Sequence, residues 1–414
     1  MNIAVLGCGS RGRTYARIAS SMPDRYKITA ACDLVPVRAG IVAALNEAGT
    51  ATFENDEDFF RAGKLADLVI IATQDRDHYD HALRAIDLGY DILLEKPAAT
   101  TLADCEDLHR RAVEKNVRIG LCFVLRYTPF YQAVKSVIDS GRLGRIVSMH
   151  ASEGVEPFHQ AHSFVRGHWR KTGDASPMIL AKCCHDTDLL CWFADSEIEN
   201  LRSYGKLDHF IKSQSPPDAP ARCTDGCPHA GSCAYDAHHY ITKKRSWLRM
   251  ILDGAESASD EQIMDFIRSS PWGRCVYHCD NDVVDHQVIA GEMKNGISIT
   301  FSMTAFNCGR SLEIFGTKGS LKGGDAWKDA GAQELSYRDH ATGEKEEIVV
   351  DRSTEAGYQG HGGGDYGLIN SLDRMFGAKG TLPPGLDGLA GHRFALLAEQ
   401  SRVNAQSVRS LQEC

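Results

Sequence analysis

The chain has no apolar run approaching the roughly 18 residues that cross a bilayer, which excludes a membrane-spanning helix from its 414 residues. It has no excess of positive charge: 46 Lys and Arg face 55 Asp and Glu, for a formal net charge of −9. No cluster of basic residues offers a phosphate track, so nucleic acid is not an expected partner. Internal repeats and low-complexity tracts are absent, so the chain is not read as a repeat array. The apolar residues 3–7 are too few for a secretory signal and no charged segment precedes them; the expected location is the cytoplasm. What is present is ordinary for a globular protein, 43% hydrophobic and 24% charged, and the length makes two domains the expectation.

The most informative stretch is the beginning. An apolar run at 3–6 meets Gly7, Gly9 and Gly12, and a helical pattern follows over 13–19. Strand, glycine turn and helix are the context in which G-x-G-x-x-G means dinucleotide binding. Gly7 permits the tight turn, Gly9 lets the backbone approach a pyrophosphate, and Gly12 lets helix and strand pack closely. The pyrophosphate would rest on free N–H groups at the helix N-terminus, beside Ser10 and Arg11, where the macrodipole favours an anion. Residues 27–33 read as the next strand and end in Asp33, about 20 residues after the last glycine, the distance expected of a ribose-binding carboxylate. An acid there favours NAD over NADP by repelling a 2′-phosphate, and Arg38 nearby blurs that preference.

Strand and helix patterns alternate to about residue 124: strands at 68–72, 91–94 and 118–123, helices at 78–88 and 102–114. Alternation of this kind implies a parallel sheet covered on both faces, whose ligands bind beyond the carboxyl ends of the strands. The residues to notice are therefore Thr73, Gln74 and Asp75 after one strand and Glu95, Lys96 and Pro97 after the next. Beyond 125 the texture changes. Alternating stretches at 145–152, 284–293, 298–303, 311–315 and 346–350, with turn signals at 294–296 and 317–319, suggest an antiparallel meander. The expected architecture is α/β: a Rossmann dinucleotide-binding domain over 1–124, then an α+β domain over 125–414 with helices at 365–375 and 392–408. An insertion rich in Pro, Cys, His and Gly interrupts the second domain over about 206–283.

Fourteen cysteines stand out against these absences. Cys8, Cys32, Cys105, Cys122 and Cys191 sit in apolar surroundings and read as core residues. Within the insertion, Cys223-x3-Cys227-x5-Cys233 is followed at a distance by Cys275-x3-Cys279. Short spacings in a cytosolic chain point to metal rather than disulfide. Four thiolates from Cys223, Cys227, Cys233 and Cys275 suit a structural zinc. The spacings are not the C-x2-C pairs of zinc ribbons, so unligated thiols and an iron–sulfur cluster are the alternatives.

With the glycine turn, Glu95-Lys96-Pro97 and the segment from His185 to Asp188 in view, the chain resembles the glucose–fructose oxidoreductase / inositol dehydrogenase / rhizopine-catabolism (Gfo/Idh/MocA) family, along most of its length. The resemblance implies a Rossmann domain joined to an open-faced, mainly antiparallel sheet, association as a dimer or tetramer, and a sugar, glycoside or cyclitol substrate. It makes Lys96 the contact to the reacting hydroxyl and the nicotinamide ribose, with Pro97 holding the turn, and His185 the catalytic histidine. It puts Thr73, Gln74, Asp75 and His78 along the adenosine ribose and pyrophosphate, and Trp169 and Arg170 near the nicotinamide. Arg126, Lys182 and Asp188 fall near the substrate. One departure is plain: where many members carry an Asp four residues before the histidine, this chain has Ala181, followed by Lys182. The implied reaction is hydride transfer between NAD and a ring hydroxyl. The alternatives are a glycosidase that recycles NAD through oxidation and elimination, and a catalytically silent sugar-binding regulator. The residue types agree with the first: histidine, with an ordinary pKa near 6.5, suits a general base, and a lysine stabilises a developing alkoxide. Arg166, His168 and Arg170 form a basic loop suited to clamp substrate hydroxyls. His361, within a glycine-rich run, reaches toward the same pocket.

Overall fold

The short apolar runs of the first part of the chain form strands, seen in a computed structural model that describes every residue except 47–48, 326–332, 351–359 and 411–414. β1 (Asn2–Leu6), β2 (Lys27–Cys32), β3 (Ala51–Phe53), β4 (Leu68–Ile71), β5 (Asp91–Leu94) and β6 (Arg118–Leu121) pair in parallel throughout. β4 reads Leu-Val-Ile-Ile and is buried along its whole length, as a strand covered on both faces must be. α1 (Ser10–Ser20), α2 (Pro36–Ala43), α3 (Asp56–Arg61), α4 (His78–Asp87) and α5 (Leu102–Glu114) make the crossovers. The order β3-β2-β1-β4-β5-β6 reverses direction between β1 and β4, and a doubly wound sheet opens its ligand crevice at that point.

The second sheet is larger. It contains β7 (Ile146–Val155), β8 (Ile198–Lys206), β9 (His286–Met293), β10 (Ser298–Thr304), β11 (Cys308–Gly316), β12 (Gly319–Gly324), β13 (Glu334–Asp339) and β14 (Lys345–Glu347). Gly385–Leu386 (β15) joins the first sheet beside β6, and Val408–Arg409 (β16) extends the second beyond β8. The order is β14-β13-β12-β11-β7-β10-β9-β8-β16. Hairpins at the expected turns join β9 to β10 and β11 to β12, but the meander is interrupted. β7 lies between β10 and β11, so it is antiparallel to β11 and parallel to β10. The helices Cys184–Ala194 and Leu389–Asn404 cover one face of this sheet, and Tyr204, Val288 and Phe315 are exposed on the other.

The insertion runs between β8 and β9. It builds two small apolar clusters on the segment 158–165, one around Tyr240, Leu248, Ile263 and Ile267, the other around Phe210, Tyr235 and Val276. The expected C-terminal helices are present as Gly364–Asn370, Leu372–Phe376 and Leu389–Asn404. The first two do not belong to the second sheet. Leu368, Ile369, Leu372, Met375 and Phe376 pack with Ile3, Val5 and Leu68 against the first. No helix among the described residues is long and apolar enough to cross a membrane.

Candidate active site

At the end of β1, Gly7 has φ 90°, and a Cβ there would stand 2.5 Å from the Ala72 carbonyl oxygen. A Cβ at Gly12 would stand 1.9 Å from the Gly7 carbonyl oxygen. Both positions require glycine for β1, β4 and α1 to meet. Gly9 differs, because a Cβ there would meet nothing within 4 Å. It also caps α1 with no side-chain hydrogen bond, which leaves first-turn N–H groups to an outside acceptor. Asp33 stands across the turn, its Oδ2 accepting the Cys8 N–H and its Oδ1 the Val35 N–H, each at 2.8 Å. Open space, free donors and a fixed carboxylate together fit the pyrophosphate and ribose of a dinucleotide. The insertion reaches this edge as well: Asp253 accepts from Arg38 at 2.8 and 3.0 Å and from Arg13 at 3.4 Å.

The turn after β5 is braced from every side. Glu95 accepts from Arg11 Nε at 2.9 Å, from the Tyr15 hydroxyl at 2.7 Å and from the Lys96 N–H at 3.0 Å. Burial disfavours its ionised form, but Arg11, Lys96 and these hydrogen bonds outweigh burial and hold the carboxyl below its ordinary range. The Lys96–Pro97 peptide is cis. A ring nitrogen of His78 donates to the Pro97 carbonyl at 2.6 Å, and the other stands 3.3 Å from the Thr73 carbonyl. The Ala98 N–H donates to His392 Nε2 at 2.9 Å. So held, Lys96 directs its ammonium to the Ala181 carbonyl oxygen at 2.8 Å, four residues before His185 in the chain.

His185 is 7% exposed, in the first turn of the helix Cys184–Ala194. Its ring lies edge-on to Phe123 at 5.8 Å and 6.4 Å from the ring of His361. Its Nδ1 is buried and has no hydrogen-bond partner among the described residues. Burial, then the positive surroundings of Lys96, His361, Arg310 and Lys182, push its pKa well below the ordinary 6.5. The imidazole is therefore neutral at physiological pH, with a ring nitrogen available to a substrate hydroxyl. His361 is held by Asp365, Nδ1 to Oδ1 at 3.1 Å. An ammonium, a neutral imidazole and a second histidine thus gather at the carboxyl edge of the first sheet, an arrangement able to take a proton and steady an oxyanion.

Other expected residues are engaged elsewhere. Arg11 forms ion pairs with Glu95 and Asp365, at 2.9 and 2.6 Å, and so ties α1 to the turn and to the glycine-rich C-terminal loop. Asp365 serves as the common partner of Arg11 and His361. Thr73 meets His81 at 3.0 Å, and Gln74 is exposed. Asp75 accepts from Trp169 Nε1 at 3.2 Å and from Ser176 at 2.9 Å, which fastens the second domain to the first. Arg126 and Asp188 bind each other through two hydrogen bonds of 2.6 and 2.5 Å, joining the start of the second domain to the His185 helix. Arg170 pairs with Asp280 at 3.0 Å. Two expectations need correction. Arg166 is buried within the insertion, its Nε bonded to the Arg274 carbonyl, and His168 is exposed with its ring edge-on to Trp272. The basic loop therefore splits, because the insertion's apolar clusters draw its side chains away from the crevice.

Two features escape sequence reasoning. Lys182 pairs with Glu153 at 3.0 Å, and Arg310 bridges Glu153 and Asp186, each at 2.8 Å. The cations of this network, Arg310 and Lys182, are among the positive charges that lower the pKa of His185. Its one sequence signal is an acid at a core-facing position of an alternating strand, since Glu153 shares the buried face of β7 with Met149. His392, which receives the Ala98 N–H, carries no signal, being one of seventeen histidines.

The cysteines expected in the core are buried. Cys223, Cys227, Cys233 and Cys275 all line one cavity in the insertion, together with Arg166. Cys279 stands apart, its thiol donating to the Cys275 carbonyl at 3.3 Å. Among the described residues no group of three or more His, Cys, Asp or Glu is placed to hold a metal ion, so the tetrahedral zinc site expected from the spacing is not formed by these side chains as they stand.

Comparison with known proteins covers both halves of the chain. Residues 1–123 match the family model described as oxidoreductase family, NAD-binding Rossmann fold, and residues 131–322 match the GFO/IDH/MocA C-terminal domain. The chain is 24% identical over 386 residues to YteT of Bacillus subtilis, an oxidoreductase by name, covering 89% of this chain and 88% of that protein. It is 32% identical over 206 residues to inositol 2-dehydrogenase 2 of Saccharopolyspora erythraea, a match spanning 48% of this chain and 55% of that one. An oxidoreductase from Agrobacterium radiobacter, solved in complex with NAD+, L-tartaric acid and magnesium, shares the fold with a TM-score of 0.67 at 16% identity, over 99% of this chain and 98% of the other.

Proposed function

The chain belongs to the Gfo/Idh/MocA family of NAD-binding oxidoreductases, and from that membership we propose that it oxidises a ring hydroxyl of a sugar, sugar derivative or cyclitol with NAD. The observation that carries the reading is His185: buried, neutral, with an unpartnered ring nitrogen, beside the ammonium of Lys96. His185 takes the hydroxyl proton, and Lys96 stabilises the alkoxide that develops as the proton leaves. NAD, when bound, supplies the acceptor for the hydride of the carbinol carbon. Gly7, Gly9 and Gly12, the N-terminus of α1 and Asp33 hold it; the Asp253–Arg38 pair, by occupying a cation of the helix that follows Asp33, supports NAD over NADP. The match to an inositol 2-dehydrogenase over half the chain supports a polyol substrate. Exposed Tyr204, Val288 and Phe315 on the uncovered face of the second sheet support association of copies through that face.

No acid stands at position 181, so the proton relay rests on fewer groups than the family's usual trio. In its place the Ala181 carbonyl orients Lys96. The test is absorbance of reduced nicotinamide while the protein, with NAD, is offered free sugars, cyclitols and glycosides. A steady rise with one polyol is expected. Release of the leaving group from an aryl glycoside only when NAD is present, with no net reduction, would instead assign an oxidation–elimination glycosidase. Neither response across the panel would favour a silent regulator. With the substrate in hand, His185→Ala is expected to lower kcat by about 10²–10⁴-fold, and kcat/KM of the unaltered enzyme should stay level well below pH 6.5 before its acidic fall. An unchanged kcat in the variant would remove His185 from the mechanism.

A further inference from the structure

Among the described residues, Asp253 is the one residue of the insertion that hydrogen-bonds the first domain, and it takes two cations there. It accepts from Arg38 at 2.8 and 3.0 Å and from Arg13 at 3.4 Å. Both arginines stand at the edge where a dinucleotide would lie. The Arg13 N–H makes the first backbone bond of α1, to the Gly9 carbonyl at 3.1 Å, so the N–H groups just before it, those of Ser10 to Gly12, are the ones left to a pyrophosphate. Arg38 is in the first turn of α2, which follows the ribose carboxylate Asp33. Asp253 thus links the entrances of the two helices, one beside the pyrophosphate and the other beside the ribose.

The chain just before Asp253 is tied to the second domain. Lys244 Nζ meets Glu156 Oε1 at 2.5 Å, one residue past the end of β7. Trp247 packs against His159 with ring centroids 4.8 Å apart, and Leu248 is fully buried in the cluster with Tyr240, Ile263 and Ile267. The Ile251 and Leu252 N–H groups both bond the Leu248 carbonyl, at 3.0 and 2.8 Å, and Asp253 comes next. Its own fastening is of another kind. The Asp253 side chain is 41% exposed, and those of Arg13 and Arg38 are 21% and 34% exposed. Ion pairs so open to water are weak and screened by salt, whereas the other end is held by apolar burial. We propose that residues 244–253 form a strap across the dinucleotide crevice, rooted in the second domain and latched to the first by Asp253, and that NAD enters and leaves while the latch is open. This rests on the reading of that crevice as the NAD site. The sign of the effect separates a latch from a plain neutralising acid. Removing an acid that merely neutralised Arg13 and Arg38 would free two cations for the pyrophosphate and slow its release. Removing a latch speeds entry and release together.

The test is stopped-flow fluorescence of bound NADH, followed as it enters the full-length protein and as excess NAD displaces it. Each exposed ion pair is worth a factor of about 1.4–5, so Asp253→Ala, which removes two, is expected to release NADH about 2–25-fold faster and to take it up faster as well. Asp253→Glu is expected to restore slow release. Added salt should speed release from the unaltered protein toward the rate of Asp253→Ala, and change the variant much less. Release from Asp253→Ala at the unaltered rate or slower, or an equal response to salt in both proteins, would overturn the latch and leave the NAD site in place. A protein that took up no NADH at all would overturn the NAD reading, and the strap with it. Neither rate depends on turnover, so both stand apart from the roles of His185 and Lys96.

Discussion

Among single residues, the three glycines of the first turn separate two roles that sequence cannot. A Cβ at Gly12 collides with backbone, whereas one at Gly9 enters open space. Gly9→Ala should therefore fold with little change in melting temperature yet bind NAD at least about tenfold more weakly, a loss of roughly 1.4 kcal/mol or more. Gly12→Ala should lose both stability and binding. Calorimetry of each variant with and without NAD checks this, and equal loss of stability in the two would refute the division. The same distinction governs what was legible in the site. Lys96 draws notice from its place after a strand end, whereas His185, one of seventeen histidines, is singled out only by the family resemblance. The partners of Arg126, Asp75 and Arg166 cannot, because Asp188, Trp169 and the Cys223 cavity lie far along the chain, and residue type says that a charge needs a partner without saying which. Glu153 hides for a related reason: its cations, Lys182 and Arg310, come from a loop and a distant strand.

At the scale of elements, the first sheet was readable because each strand and helix carries its own period, and parallel βαβ units admit few arrangements. The second sheet was readable in its hairpins but not in its centre. β7 takes its place between β10 and β11 through long-range pairing that no local turn encodes. The insertion announced itself by composition, yet its reach to the nucleotide edge was invisible. Asp253, within it, holds Arg13 and Arg38 of the first two helices. Exposed pairs of this kind are worth about 0.2–1 kcal/mol. Asp253→Asn should accordingly raise the ratio of NADP to NAD use by no more than about fivefold, measured as kcat/KM for each cofactor. A ratio that falls, or stays fixed, would show that Arg38 does not face the ribose.

For the whole molecule, buried histidines set the response to acid. Burial lowers the pKa of His162 to about 3 and that of His392 to about 4, and both are almost fully enclosed. In the unfolded chain they take protons near pH 6.5, so below that value the unfolded state binds more protons and stability falls. The two together should remove up to about 2.7 kcal/mol per pH unit as pH drops from about 6 toward 4, and nothing above pH 7. Urea midpoints across that range test it, and a flat profile down to about pH 5 would contradict it. The chain's path carries another consequence. β15 and the helices Gly364–Asn370 and Leu372–Phe376 complete the first sheet from late in the sequence. On the ribosome, the nucleotide-binding sheet is thus encoded first and finished nearly last: α1 and α2 cover part of the face that carries Ile3, Val5 and Leu68, but the rest of its cover is synthesised hundreds of residues later. Throughout elongation that remainder is open to chaperones, and a gene fragment ending after β6 would yield a sheet bare there.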